Sequence, residues 1–194
     1  MPARTMIRSV AASLILALTL SAASARADEP ALRRYELPNE DTLELTMPAG
    51  WSDDLVQPLG GGPPTIEIAV AEGGPRQVFI RPEWADPTAT DVRELPQLRD
   101  AVRDLAERIQ PEAVEPYLEV RHIAGQNGVG FYFTATDRNP GAGEFKFMSQ
   151  GALQAGDLTL WFTILTNEGQ DTVAVEALGM LQRAVHRRTG HDQL

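Results

Sequence analysis

Cysteine is absent from the sequence, lysine occurs once, and basic residues are outnumbered, with 17 Lys and Arg against 27 Asp and Glu for a formal charge of −10. Without thiols there is no disulfide, thiolate zinc site, iron–sulfur ligation or cysteine nucleophile. A bacterial lipoprotein needs a cysteine at its lipidation point, so that anchor is excluded too. The acidic excess argues against a nucleic-acid partner, because neutralising phosphates takes a clustered basic face. Lys146 is the one lysine, and the remaining basic residues are arginines. Apolar runs of spanning length are also missing. The longest, Val10 to Leu20, follows Arg4 and Arg8 and precedes the small-x-small pattern Ala25-Arg26-Ala27. About a dozen apolar residues fall short of the roughly 20 that cross a bilayer, so residues 1–27 are read as a secretory signal peptide.

What is present reads as one α+β domain over residues 28–194, expected to be periplasmic or secreted. Hydrophobic residues make up 43% of the chain and charged residues 23%, which excludes a disordered polyanion. Stability must then come from the core alone, and a chain of this length buries enough surface to supply it. Removal of residues 1–27 takes away Arg4, Arg8 and Arg26 and no acid, so the mature chain is more acidic still.

Strand signals open the domain. Tyr35 to Leu37 and Thr42 to Met47 flank the turn residues Pro38-Asn39-Glu40-Asp41, and Leu43, Leu45 and Met47 alternate with Thr42, Glu44 and Thr46. Strands at Thr65 to Val70 and Gln77 to Arg81 follow the Gly60-Gly61-Gly62-Pro63-Pro64 loop, and loop length makes the four runs an antiparallel meander. A helix comes next. Leu95, Leu98, Val102, Leu105 and Ile109 form one apolar stripe, with Thr90, Asp91 and Glu94 as start signals, Pro111 as the stop, and Asp104 and Arg108 spaced to pair. Four further strands, Tyr117 to Ile123, Gly128 to Thr136, Glu144 to Leu153 and Leu158 to Thr166, form a second meander closed by tight-turn signals at Asn127-Gly128 and Ala155-Gly156-Asp157. A second helix is expected from about Gln170 to Arg187, capped by Asn167 and Gln170, with Arg183, Arg187 and Arg188 suiting its negative end. Leu158 to Leu165 is apolar on both faces. Such a sheet needs cover on both sides, and two helices are available to give it.

The phrases Leu43-x-Leu45-x-Met47-Pro48-x-Gly50-Trp51 and Gly130-Phe131-Tyr132-Phe133-Thr134-Ala135-Thr136-Asp137, in that order around a helix and before a long hairpin and closing helix, resemble the PsbP-like superfamily. The likeness covers most of Tyr35 to His186 and points to an exported bacterial branch. The resemblance implies a central antiparallel sheet sandwiched between helices, an αβα sandwich. That fold is shared by a thylakoid-lumen subunit of photosystem II and a Ran-binding nuclear import factor, partners too different for the fold to set an activity.

Residues with chemistry are few. His122, His186 and His191 make no two-ligand spacing on a helix face and read as surface or capping histidines, leaving no metal site and no cofactor to expect. Gly-x-Ser-x-Gly and Ser-x-x-Lys are absent, and Ser52 and Ser149 are the serines beyond the signal, so no catalytic residue is assigned. Gly125-Gln126-Asn127-Gly128-Val129-Gly130 lies between strands and reads as a hairpin turn, not a phosphate loop. The acids Asp53, Asp54, Glu83, Asp86 and Asp91 lack the spacing of a calcium loop. Trp51, Trp84, Tyr132, Asp137, Arg138 and Lys146 are the candidate binding residues, since aromatic and arginine side chains concentrate contact area and charge. The alternative for Trp51 and Trp84 is that they plug the ends of the sandwich. The loop Asp137 to Gly143 is expected to carry a contact.

The functional expectation is a non-catalytic binding or accessory protein that docks on a larger envelope protein, with no nucleic-acid partner and no membrane span after cleavage. Its rival is a small-ligand receptor or enzyme with a cleft near Trp84, Tyr132, Asp137 and Arg138.

Overall fold

A computed structural model describes residues 29–38, 41–59, 61–71, 73–84 and 95–188. The signal segment, the helix-start residues Thr90, Asp91 and Glu94, and Asp86 and His191 lie outside the described residues.

The opening hairpin forms as expected, from β1 (Ala31–Glu36) and β2 (Thr42–Met47) with Tyr35 opposite Leu43. Leu43, Leu45 and Met47 turn inward and are buried, as their alternation requires. The far edge of β2 then pairs with β10 (Val185–Arg187), giving a three-stranded sheet in the order β1-β2-β10. A second sheet holds seven antiparallel strands: β3 (Ser52–Val56), β4 (Thr65–Ala69), β5 (Arg76–Trp84), β6 (Arg121–Gly125), β7 (Gly128–Thr136), β8 (Phe147–Ala155) and β9 (Leu158–Thr166). Their order is β3-β4-β5-β9-β8-β7-β6, so the four-strand meander expected from Tyr117 to Thr166 is its continuous half, with the first strand formed at Arg121–Gly125 instead of Tyr117 to Ile123 and the third at Phe147–Ala155 instead of Glu144 to Leu153. The meander expected at the start of the chain divides instead, its first pair going to the small sheet and its second to the large one.

Two helices complete the fold, α1 (Leu95–Ile109) and α2 (Asp171–Gln182). A short 3-10 turn, Gln110–Glu112, follows α1 with Pro111 inside it, so the proline ends the α-helix as expected. Before α2 the expected cap forms in part. Gln170 Oε1 accepts the Asn167 backbone N–H at 2.8 Å, while Asn167 Oδ1 takes the Lys146 N–H at 3.0 Å. The helix stops near Gln182, short of the expected Arg187, because Val185–Arg187 gains a ladder with β2 in its place. Arg187 and Arg188 therefore leave the helix end for Glu44 and Asp157.

The helix sandwich holds only in part. On one face, α2 and the small sheet together bury Leu43, Leu45, Ile66, Ile80, Leu160, Phe162 and Leu181 in the larger core. On the other, among the described residues, α1 packs Leu98, Val102 and Ala106, and the segment after it Ala113 and Leu118, against Phe133, Ala135 and Ala152 of β7 and β8. One helix is about 10 Å wide and strands lie about 4.8 Å apart, so a single helix covers roughly two strands. Trp161, Thr163, Phe79 and Thr65, on the same face over β9, β5 and β4, stay half-buried.

Polar groups tie the small sheet down. Glu44 is buried between Arg34, 3.0 Å away on β1, and Arg187, 2.9 Å away on β10. Burial pushes its carboxyl upward, but the hydrogen bonds from Arg187 and Arg34 outweigh it and hold the group below the usual carboxylate range. Glu115 shows the same balance. Burial is opposed by bonds from Thr136 Oγ1 at 2.6 Å and the Thr136 N–H at 3.0 Å, and the carboxyl is lowered. Lowered carboxyls contribute stability that is present above their unfolded-state value, near 4.5, and is lost as pH falls through the folded-state value. The thermal midpoint is therefore expected to fall with acidification below that value. In the double variant E44Q/E115Q the midpoint at neutral pH drops and its acid slope becomes shallower. Circular dichroism melts in a pH series check this, and an unchanged slope refutes it.

Candidate functional site

The half of the large sheet that the described residues leave uncovered forms a groove beside α1. Its floor follows from strand alternation. On β5, Phe79, Arg81 and Glu83 face the α1 side while Val78 and Ile80 face the larger core. On β9, Trp161 and Thr163 do the same, and the register sets Phe79 opposite Thr163 and Arg81 opposite Trp161. Leu105 and Arg108 of α1 form the wall, from the flank of its apolar stripe. The cavity measures about 410 Å³ and is partly open among the described residues.

Three polar features mark it. Arg81 pairs with Glu83 at 2.9 Å, both side chains well exposed. Arg108 makes no hydrogen bond or ion pair among the described residues, and the expected pair with Asp104 does not form. Gln150 Nε2 lies 3.1 Å from Thr163 Oγ1, and its Oε1 is buried with no partner. Thus two guanidinium groups and two aromatic rings, Phe79 and Trp161, share one open groove. None of the four is among the candidates named from sequence, although alternation along β9 sets Trp161 and Thr163 on the face opposite Leu160 and Phe162.

The residues singled out from sequence go elsewhere. Trp51 is buried in the larger core, and Trp84 packs against it while its indole N–H donates to Asp41 Oδ2 at 2.8 Å. Both plug the sandwich. Tyr132 lies on the α2 side of β7, beside His122, Val175 and Leu178. Asp137, Arg138 and Lys146 sit at the far end of the sheet and tie the loop in place. Asp137 Oδ1 accepts the Asn139 N–H at 2.8 Å, Arg138 Nη2 donates to the Ala113 carbonyl at 2.6 Å, and Lys146 Nζ reaches Glu168 at 2.5 Å. Asp137 and Lys146 also rim an apolar crevice of about 230 Å³. Three strand spacings, roughly 14 Å, part Trp84 from Tyr132, and five residues of strand, roughly 17 Å, part Tyr132 from Asp137. The cleft expected from Trp84, Tyr132, Asp137 and Arg138 is not assembled.

His186 departs from the surface role expected of it. Its side chain is 2% exposed, with Nε2 3.2 Å from Asp41 Oδ2 at the seam between the two sheets. Neither serine completes a nucleophilic set with this pair. Ser149 Oγ is engaged with Thr134 Oγ1 at 3.0 Å, and Ser52 lies on the edge strand β3. Among the described residues no three His, Asp or Glu side chains come close enough to hold a metal ion. No helix among them is long and apolar enough to cross a membrane.

Fold and groove together define an α+β protein, an antiparallel sheet backed on one side by a helix and a small sheet and, among the described residues, half-covered on the other. Among solved structures the chain is similar to the solution structure of cyanobacterial PsbP (CyanoP) from Synechocystis sp. PCC 6803, at 15% identity and a TM-score of 0.46 over 80% of this chain and 92% of that one. No family model matches the chain, and no curated protein matches it.

Proposed function

We propose that the protein is an exported accessory module that works by binding, without catalysis, and docks on a larger envelope protein through the groove beside α1. The observation that carries this reading is the half-open sheet face, where Phe79 and Trp161 remain accessible beside Arg81 and Arg108. Aromatic and arginine side chains dominate the energetics of protein interfaces, because each combines rigid apolar area with a directed polar group. The basic-then-apolar opening of the chain, with its small-residue cleavage pattern, supports export to the envelope.

Photo-crosslinking in the native cell tests this. A benzoyl-phenylalanine at position 79 is expected to give one discrete protein adduct in the envelope fraction, and the same group at Val175, exposed on α2, is expected to give none. Equal labelling from both positions, or no adduct from position 79, refutes the docking reading.

A further inference from the structure

We infer that the groove takes an extended segment of the partner protein in which acidic side chains alternate with aromatic or aliphatic ones. This deepens the docking reading above and rests on it.

Charge gives the first argument. The chain is strongly acidic, at −10 overall, so an acidic segment is repelled by most of its surface. The groove is different. Among its described lining residues Glu83 is the single acid, and Arg81 already neutralises it, leaving the Arg108 charge uncompensated. The Arg81–Glu83 pair is itself loose: its side chains are 52% and 38% exposed, and an exposed pair of this kind costs little to exchange for a new carboxylate. A segment carrying carboxylates is therefore attracted here and disfavoured elsewhere, which confers specificity as well as affinity.

Shape gives the second. The groove is partly open among the described residues, whereas a site for a small molecule encloses most of its ligand. An extended segment held at both ends by its own protein needs one face covered, and in such a segment alternate side chains point the same way. The floor repeats at the same spacing, since Phe79 and Arg81 stand two residues apart on β5 and Trp161 and Thr163 two apart on β9. Apolar side chains then lie over Phe79 and Trp161, and carboxylates reach Arg81 and Arg108.

Selection from a library of random linear heptapeptides displayed on phage, against the full-length protein, tests the inference. Enriched sequences are expected to combine Asp or Glu with Phe, Leu or Ile. Synthetic copies, followed by fluorescence anisotropy, are expected to bind R108E about tenfold more weakly, as loss of an anchoring arginine does. The double reversal R81E/R108E is expected to select Lys- or Arg-containing peptides instead, a gain that a misfolded variant cannot give. Both side chains lie at the surface, and circular dichroism of each variant confirms folding.

Enrichment of neutral or basic sequences by the unaltered protein, or binding indifferent to the reversals, overturns the inference, as does no enrichment at all. Saturation by phenylacetate alone with dependence on Arg108 assigns the groove to a small anion and also overturns it. So does a dimer of this chain that R108E dissolves. In each case an adduct from position 79 to a different envelope protein keeps the docking reading, whereas loss of that adduct, or an adduct to a second copy of this chain alone, removes the reading underneath.

Discussion

Replacing Phe133 with alanine is expected to destabilise the protein by about 3–5 kcal/mol, the range for removing a fully buried aromatic ring. Phe133 has no exposed surface and lies on β7 beneath Leu98, Val102 and Ala106. The loss is a large share of the roughly 5–15 kcal/mol that holds a domain of ordinary size together. Its location matters as much as its size. The core under α1 is separate from the one between the large sheet, α2 and the small sheet, so the cavity opens beneath a helix with few other anchors. Urea denaturation is expected to show the lower midpoint. Native-state amide exchange is expected to show α1 opening at a lower free energy than β9, because local stability follows local burial. Equal protection of α1 and β9 in the variant would mean that the two cores open together. Since α1 supplies Leu105 and Arg108, peptide binding in the groove is expected to weaken in step with the helix.

Gly151→Ala is expected to cost about 2–3 kcal/mol, at the upper end for inserting one methyl group into a packed interior. A Cβ at residue 151 would meet the Phe131 carbonyl oxygen and come within 2.6 Å of Tyr132 Cβ on the neighbouring strand. The obstacle is backbone as well as side chain, so no rotamer change relieves it. Gly130 on the facing strand is similarly placed, its Cβ meeting the Ala152 carbonyl and lying 2.7 Å from Leu153 Cα. Strands β7 and β8 thus approach where glycine stands on each, and that close pairing continues into the groove floor at Gly151. A thermal melt of Gly151→Ala matching the unaltered protein would show that the ladder can shift at no cost.

The sequence made some elements legible residue by residue. Strands β7 and β9 match the expected Gly128 to Thr136 and Leu158 to Thr166, because apolar and polar residues alternate between strong turn signals. The α1 stripe was equally plain. Strand β3 carried no such signal, since Ser52-Asp53-Asp54 is a poor strand composition. It is held from outside, by Arg33 on Asp53 at 3.1 Å, Tyr35 Oη on the same carboxylate at 2.9 Å, and Arg76 on Asp54. Strand β10 was hidden inside a helical periodicity that runs on through Val185, and a non-local ladder overrode it. The groove needed two facts that no local pattern contains: that β5 pairs with β9 from the far end of the chain, and that one helix is too narrow for seven strands. The binding residues named from sequence were chosen by type and loop position, and most of those side chains are committed to holding the fold.

Strand β10 has a consequence for how the protein is made. The middle strand of the small sheet, β2, is made well before one of its two neighbours, β10, because every strand of the large sheet and both helices lie between them in the chain. Until residue 187 has been polymerised, Glu44 lacks its second arginine and Asp41 lacks His186. Those two contacts therefore close only after β10 has been made, and they lock the hairpin to the rest of the fold as a late step.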